Sequence, residues 1–253
     1  MSLAAPAARA EAPPRPRDWG RFSIASGLDF SSGDYSDRKK TEIWYAPLSL
    51  KYERGPWIAR LTVPYLRIRG PGNVVFGPGG AVVLGTGARK RETNEGLGDV
   101  IAGVGYVLDP WRPALPFLEL SGKIKFPTAS SSRGLGTGEF DYSLQLDAWK
   151  RFGAFTPFGN FGYRFVGDPP HSSLRNTLFG SLGVDWRPRP YLGLGLAYDW
   201  RQSASRHTGD AQDLSPYLSW KVFRHVSLEP YGVIGFSRAA PDYGVGFQIR
   251  YRP

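Results

Sequence analysis

The sequence predicts an all-β fold: a closed antiparallel transmembrane β-barrel of about 12 strands, with short periplasmic turns and longer extracellular loops. Apolar and polar residues alternate with a period of two in twelve stretches. The connections between these stretches alternate between short and long, and aromatic residues collect at both ends of the stretches. Successive side chains of a strand point to opposite faces, so each stretch has one apolar and one polar face.

The alternation is clearest in the stretch 191–202, where Leu194 and Leu196 face one side and Gly195 and Asp199 the other. A soluble β-sandwich also alternates, but it buries its apolar face and carries fewer aromatics there. Gly- and Pro-containing segments at 53–56, 109–113, 152–154 and 187–190, and the pair 224–225, predict the short turns. The predicted strands are 20–31, 41–52, 57–67, 96–108, 115–127, 138–150, 156–166, 175–186, 191–202, 213–222, 226–237 and 243–251.

The aromatic residues predict two interfacial belts. Tyr and Trp favour the membrane interface because their rings are apolar while their O–H and N–H groups need water. One group lies beside the short turns and the other toward the long loops. The first contains Trp19, Tyr52, Trp57, Trp111, Trp186, Tyr191, Phe223 and Tyr251, and the second Phe30, Trp44, Tyr65, Phe140, Tyr163, Phe165, Trp200 and Tyr243.

Composition narrows the function classes. The mean hydropathy is −0.32, there is no cysteine, and no apolar run reaches the roughly 18 residues of a spanning helix. The net charge of +10 arises from scattered basic residues, without a basic helix or a nucleic-acid module, so no nucleic-acid partner is expected. Basic residues in the long loops would face lipopolysaccharide phosphates; solvated loop charges are the alternative interpretation.

Two segments concern export and assembly. Residues 1–18 are expected to be a disordered signal-peptide remnant with a Pro-rich lead-in, and residues 19–253 to be the barrel. The last stretch ends in Tyr251, which is similar to the C-terminal signal that outer-membrane barrels present to the barrel assembly machinery. The expected location is the outer membrane of a Gram-negative bacterium, with its lipids as partners.

Charged residues on the polar faces are the candidates for a lumen that selects solutes. Acids and bases are nearly balanced, so they either line a watery pore or pair across strands. Lys123 and Lys125 beside Glu119 form the densest group; pairing of the lysines with Asp99 or Asp141 is the alternative to contact with an ion or acidic solute. The full candidate set is Lys123, Lys125, Glu119, Asp99, Asp141, Arg60, Arg164, Arg201 and Arg250.

The 68–95 loop is a candidate constriction. It places apolar residues among Gly and Pro, and an exposed apolar loop is costly unless it folds into the lumen or meets lipid or ligand. A hairpin that extends two strands beyond the membrane is the alternative. The constriction candidates are Val75, Phe76, Val82, Val83 and Leu84.

Catalytic and metal-binding patterns are weak. His171 and Ser173 have a His-x-Ser spacing, but no third residue is evident to orient the imidazole. His207 and His225 are isolated, and no compact metal set stands out. We therefore expect neither an enzyme nor a cofactor or metal.

Three short segments resemble a known family. These are Gly96-Leu97-Gly98-Asp99, Lys125-Phe126-Pro127-Thr128, and Leu135-Gly136-Thr137-Gly138 followed by Asp141-Tyr142. They are similar to the MetA-pathway of phenol degradation family, which is related to fatty-acid-transporter-like barrels. The resemblance implies an outer-membrane barrel for small, often hydrophobic solutes and supplies no agreed site residues.

Together these observations predict an outer-membrane channel for passive uptake or release of small solutes, including hydrophobic or aromatic ones. Two alternatives remain open. The chain could be a non-conducting barrel anchor with an envelope protein partner, or an outer-membrane lipid hydrolase that uses His171 and Ser173.

Overall fold

The structure is a computed structural model that describes residues 20–35, 40–71, 74–77, 80–83, 91–169, 173–206 and 208–253. It is almost entirely β-structure. Its one short helix among these residues is a 3₁₀ turn at Ser131–Arg133. The strands are β1 (Arg21–Gly33), β2 (Thr41–Arg54), β3 (Trp57–Pro71), β4 (Val74–Gly77), β5 (Gly80–Val83), β6 (Arg91–Leu97), β7 (Val100–Leu108), β8 (Phe117–Phe126), β9 (Asp141–Trp149), β10 (Phe155–Phe165), β11 (Thr177–Arg189), β12 (Leu192–Arg201), β13 (Ala211–Phe223), β14 (Val226–Gly235) and β15 (Tyr243–Tyr251).

The main sheet closes on itself. Neighbouring strands pair antiparallel around the barrel, and β1 pairs with β15 in a register that sets Ile24 opposite Tyr251. β2 also pairs with β3, which completes the circuit through β6 and β7. Because β6 and β7 together make one crossing, the described chain forms a barrel of twelve crossings. The predicted fold class is confirmed.

The connections define two ends of the barrel. The short-turn end carries residues 55–56, 109–116, 150–154, 190–191 and 224–225, together with the start of β1 and the end of β15. The long-loop end carries 34–40, 72–90, 127–140, 166–176, 202–210 and 236–242. Gly55 and Gly153 have φ of 56° and 60°, the left-handed backbone that two of the short turns require.

The predicted strand 96–108 differs from the structure. β6 begins at Arg91, and the crossing is interrupted at Gly98 and Asp99 before β7 starts. The Gly98 N–H donates to the Pro64 carbonyl (2.9 Å), and Thr128 bridges the break by donating to the Gly98 carbonyl and accepting from the Val100 N–H. This is a bulge, in which one strand gains a residue relative to its partner. It turns the Asp99 side chain toward the interior.

The 68–95 segment contains the hairpin that the sequence left as an alternative. β3 and β6 remain paired from Tyr65–Leu97 to Pro71–Arg91, beyond the predicted end of the strand at residue 67. β4 and β5 then form a separate two-stranded hairpin. The side chains of Val75, Phe76, Val82 and Val83 lie outside the described part of the chain, as does Leu84 altogether.

The outward face is apolar along the strands. Leu48, Leu120, Leu182 and Val245 are all exposed there, while the aromatics mark both ends as predicted. Trp57, Trp111 and Phe223 stand out at the short-turn end, and Trp44 and Tyr65 toward the other end. An apolar band between aromatic girdles is the lipid-facing surface of a transmembrane barrel.

Within the described residues, the one helix is too short and too polar to cross a bilayer.

Candidate functional site: the barrel lumen

The candidate site is the inner wall of the barrel, where period two places the polar face of each strand. Many polar and charged side chains on this inner wall are buried. A buried charge is tolerated when it is paired and hydrogen-bonded. Buried inward-facing polar residues include Ser23, Asp29, Ser31, Glu119, Ser121, Lys125, Asp141, Gln145, Asp147, Thr156, Ser181, Asp185, Arg201, Asp213 and Glu229.

Arg60 and Glu119 form a bidentate pair across β3, β7 and β8. Arg60 Nη1 donates to Glu119 Oε1 at 2.7 Å and Nη2 to Oε2 at 3.1 Å. The strand between them carries Gly105, and a Cβ there would lie 2.6 Å from Glu119 Oε1 and 3.2 Å from Arg60 Nη1. The glycine therefore leaves the space that the pair occupies. The two parallel N–H···O bonds are charge-assisted, and this bidentate arrangement fixes the relative orientation of the two side chains.

Lys125 has two carboxylates and a hydroxyl around its ammonium group. Its Nζ lies 2.9 Å from Asp99 Oδ2, 2.9 Å from Asp141 Oδ2 and 2.9 Å from Thr137 Oγ1. This is the pairing with Asp99 and Asp141 that the sequence left as an alternative to a solute contact. Two of these contacts are hydrogen bonds donated by Lys125, to Asp99 and Thr137, and the third, with Asp141, is an ion pair. Lys125 is thus committed to holding protein groups together.

Lys123 has different partners from those of Lys125. Its Nζ donates to Gln145 Oε1 at 3.0 Å, and the Gln145 amide in turn donates to both oxygens of Asp147 at 2.8 Å. The two lysines are neighbours on one face of β8, yet the structure joins them to separate networks.

The remaining candidates lie on other parts of the wall. Arg201 pairs with Asp213, an inward acid that the sequence analysis did not include. Arg250 Nη2 donates to Gln248 Oε1 at 2.9 Å. The guanidinium of Arg164 lies over the ring of Phe179, 5.0 Å from its centroid. Balanced, mutually paired charges leave a lumen without one dominant sign.

The connection 127–140 folds into the barrel at the long-loop end. Leu135 is 0% exposed and packs with Ala129 against inward residues of β2 and β3, among them Tyr45 and Leu66. Asp99 Oδ1 accepts the Ala129 N–H at 3.0 Å. Lys125 holds the same segment at Thr137. We call residues 127–140 the inner loop.

The three segments that carry the family resemblance meet at this place. Asp99 follows Gly98 in the first, Lys125 opens the second, and Thr137 belongs to the third. Gly136 lies so close that a Cβ there would meet Ala129 Cβ and Asp99 Oδ2, each at 2.8 Å. The segments therefore build one buried network that fixes the inner loop.

An aromatic cluster lines the lumen toward the short-turn end. Trp149 lies opposite Phe117 on β8 and Phe158 on β10, and the rings of Phe117 and Trp149 are parallel with centroids 5.8 Å apart. Tyr217 on β13 pairs with Tyr231 on β14 and continues the cluster. These side chains face inward and pack against each other, so they do not contact lipid; Phe117 and Tyr231 are the partly exposed members. These rings and three aliphatic residues of the same cluster form a group that we call the lumen aromatic cluster (Ile58, Val107, Phe117, Trp149, Phe158, Ala197, Tyr217 and Tyr231).

Carboxylates adjoin these rings. Tyr217 donates to Asp185 Oδ1 at 3.4 Å. Asp29 is 3% exposed, and its Oδ1 has no hydrogen-bond partner among the residues that the structure describes. A Cβ on Gly246 would lie 2.4 Å from this oxygen and 2.8 Å from the Tyr231 hydroxyl. The glycine therefore leaves the space that these two side chains occupy. Ring faces and hydrogen-bonding groups thus share one wall.

The described residues give no support to a hydrolase site or a metal site. Ser173 is exposed in the 166–176 connection, and His171 lies outside the described residues, so the hydrolase alternative has no described pair. The described chain contains no group of three potential metal ligands.

Sequence reasoning missed two parts of this site. Leu135 is the one large apolar residue between Pro127 and Glu139, a Gly- and Ser-rich run, and this was the signal that could have indicated an inward-folded loop. The lumen aromatics Phe158, Tyr217 and Tyr231 stand on the polar side of their strands, out of step with the outward belts. Their position in the period-two pattern was the available signal.

The closed barrel, its outward apolar band and its polar interior define an outer-membrane-type β-barrel. The sequence model of the family described as "Putative MetA-pathway of phenol degradation" matches residues 23–252. The chain therefore belongs to this family. No curated protein matches the chain significantly.

Solved structures share the fold at low sequence identity. The COG4313 outer membrane channel from Pseudomonas putida F1 is 13% identical, with a TM-score of 0.70 over 96% of this chain and 100% of that chain. The NanC porin is 10% identical, with a TM-score of 0.54 over 90% of this chain and 97% of that one. The CymD monoaromatic hydrocarbon channel is 10% identical, with a TM-score of 0.50 over 92% and 88%.

Proposed function

We propose that the protein is a channel for passive movement of small aromatic solutes that carry a hydrogen-bonding group, across the outer membrane of a Gram-negative bacterium. The observation that carries this proposal is the lumen aromatic cluster beside Asp29, Asp185 and the Tyr231 hydroxyl. A ring can pack on ring faces while its polar substituent bonds to a carboxylate or phenol.

The paired charges support the same solute class. Arg60 and Glu119 form a neutral pair, and Lys125 offsets one of its two neighbouring carboxylates, so acids and bases stand close to each other along the wall instead of forming a ring of one sign. A channel for simple anions or cations would carry a ring of one charge. Here the distinctive lining is aromatic and hydrogen-bonding.

The family and the neighbours point to the same chemistry. The family description names phenol degradation, and the CymD structure is a monoaromatic hydrocarbon channel. Phenol combines a ring with one hydroxyl, which fits the mixed lining. The proposed partners are this solute, outer-membrane lipids with lipopolysaccharide, and the assembly machinery that recognises the last strand.

The inner loop is the proposed constriction. It covers inward residues of β2 and β3 at the long-loop end, where a solute would enter or leave. Constriction by Val75, Phe76, Val82, Val83 or Leu84 remains a second prediction, because those side chains lie outside the described residues.

Planar-bilayer recording tests the proposal. The purified protein is expected to open a reproducible conductance that phenol reduces reversibly, whereas cyclohexanol, which has a similar ring size but no aromatic face, reduces it less. Replacing Tyr231 with Leu should weaken the phenol effect. The control is Tyr142→Leu, because Tyr142 is an exposed tyrosine on the outward face.

The outcomes separate the alternatives. A silent barrel that co-purifies with an envelope protein would favour the anchor function. A conductance that phenol and cyclohexanol affect equally would retain a channel but remove the aromatic solute class.

A further inference from the structure

The short-turn end repeats one chemical pair. Each of the five short turns contains or adjoins an arginine next to an exposed aromatic residue. The aromatic side chains project strongly, as shown by Trp111 at 81% exposed and Phe223 at 70%. The pairs are Arg54 with Trp57, Arg112 with Trp111, Arg151 with Phe152, Arg189 with Tyr191, and Arg224 with Phe223.

These arginines lack acidic partners. All five are exposed, and none forms an ion pair within the described residues. Arg151 donates through Nε to the Gly153 carbonyl, which leaves its terminal nitrogens available. Asp109 is the one carboxylate inside the five turns, and Glu53, which precedes Arg54, pairs with Arg21 and Lys51 instead. The turns therefore form a ring of uncompensated positive charge, which we call the basic collar (Arg54, Arg112, Arg151, Arg189 and Arg224).

The long-loop end is built differently. Arg67 pairs with Glu95, Arg69 and Arg91 pair with Glu42, and Lys40 pairs with Asp242. Several exposed cations therefore have carboxylate partners at that end, whereas none of the five collar arginines has one among the described residues.

We propose that the basic collar binds the phosphates of anionic phospholipids in the leaflet that borders the short-turn end. The aromatic residues paired with these arginines lie at the end of the barrel, where aromatic side chains favour the membrane interface. An arginine beside such a ring can extend its guanidinium to a headgroup phosphate and bind it with two N–H donors.

The distribution of the pairs favours lipid over a protein partner. Successive short turns are two strands apart, roughly 10 Å at the usual strand spacing. The pairs follow successive hairpins around the rim, whereas a docked protein would need one continuous patch. Short turns of outer-membrane barrels face the periplasm, so the collar would lie at the phospholipid leaflet.

Tryptophan quenching by brominated lipids tests this proposal on the full chain in vesicles. Phosphatidylcholine vesicles receive increasing fractions of either brominated phosphatidylglycerol or brominated phosphatidylcholine. Trp57 and Trp111 stand beside collar arginines and report lipids there. The unmodified protein is expected to bind phosphatidylglycerol several-fold more strongly, with the preference falling as salt rises.

Two multiple variants locate the effect. The collar variant combines Arg54→Gln, Arg112→Gln, Arg151→Gln, Arg189→Gln and Arg224→Gln, and should lose most of this several-fold preference. The control combines Arg67→Gln, Arg69→Gln and Arg91→Gln, whose arginines already have carboxylate partners, and should retain most of it. Heat-dependent migration in SDS gels verifies that each variant is a folded barrel.

The opposing results are clear. Equal binding of the two lipids by the unmodified protein would overturn the proposal even if the collar variant failed to fold. An equal loss in the control variant would also overturn it, since the effect would then follow total charge rather than the collar.

Discussion

Replacing Lys125 with Met is expected to release the inner loop from the lumen wall. The substitution keeps an unbranched apolar side chain but removes the ammonium group that lies 2.9 Å from both Asp99 and Asp141. Both carboxylates are buried, and removing one partner of a buried ion pair costs about 3–5 kcal/mol. If this cost falls on the docked loop, about 3 kcal/mol changes the ratio of docked to released loop by roughly 10².

Two measurements report the release. Trypsin should cleave faster at Arg133, since cleavage needs a locally unfolded segment and Arg133 lies in the inner loop. Conductance in planar bilayers should increase, because the loop no longer covers the long-loop end. Arg60→Met is the matched control, since it also strips a buried carboxylate, Glu119, of its partner but lies away from the loop.

A compensated variant tests the physical cause. Combining Lys125→Met with Asp99→Asn and Asp141→Asn removes the unpaired charges and should restore part of the docking. Unchanged cleavage at Arg133 in the single variant would refute the reasoning. So would equal acceleration by Arg60→Met, because loosening would then be general.

Three further outcomes are expected. Gly105→Ala should separate the Arg60–Glu119 pair, because its Cβ would lie 2.6 Å from Glu119 Oε1. The ion selectivity of the conductance should then shift. The control Gly122→Ala should not shift it, because a Cβ there meets only ordinary van der Waals contacts. Phe158→Ala should lower the free energy of unfolding by about 3–5 kcal/mol, because it removes a buried ring and leaves a cavity. Urea titration of the refolded barrel measures this loss, and a loss below about 1 kcal/mol would contradict the packing. Deleting 72–90 should leave conductance unchanged if the inner loop is the constriction, and a rise would assign the constriction to the deleted segment.

The fold was predictable from local patterns because strand periodicity and turn chemistry are read within a few residues. The lumen network was harder to predict. Arg60 and Glu119 are 59 positions apart, and their pairing depends on the register of β3, β7 and β8. Asp99 reaches Lys125 through a bulge, which shifts the pattern by a residue and which alternation alone does not reveal.

The inner loop escaped prediction for a different reason. Its docking depends on Leu135 packing against strands from a distant part of the sequence. Arg187 and Asp185, by contrast, are two residues apart on one inward face and 2.6 Å apart in the structure. That pair could have been read from the sequence alone.

The pairing of β1 with β15 also bears on how the chain can be rewired. Arg21 starts the first strand and Tyr251 ends the last one at the same rim, and Ile24 stands opposite Tyr251. A short peptide linker could therefore join residue 252 to residue 21. New termini between Arg224 and His225 would then make β14 the first strand while keeping every ladder intact. Such a circular permutant is expected to close into the same barrel, with its terminal strand changed from β15 to β13.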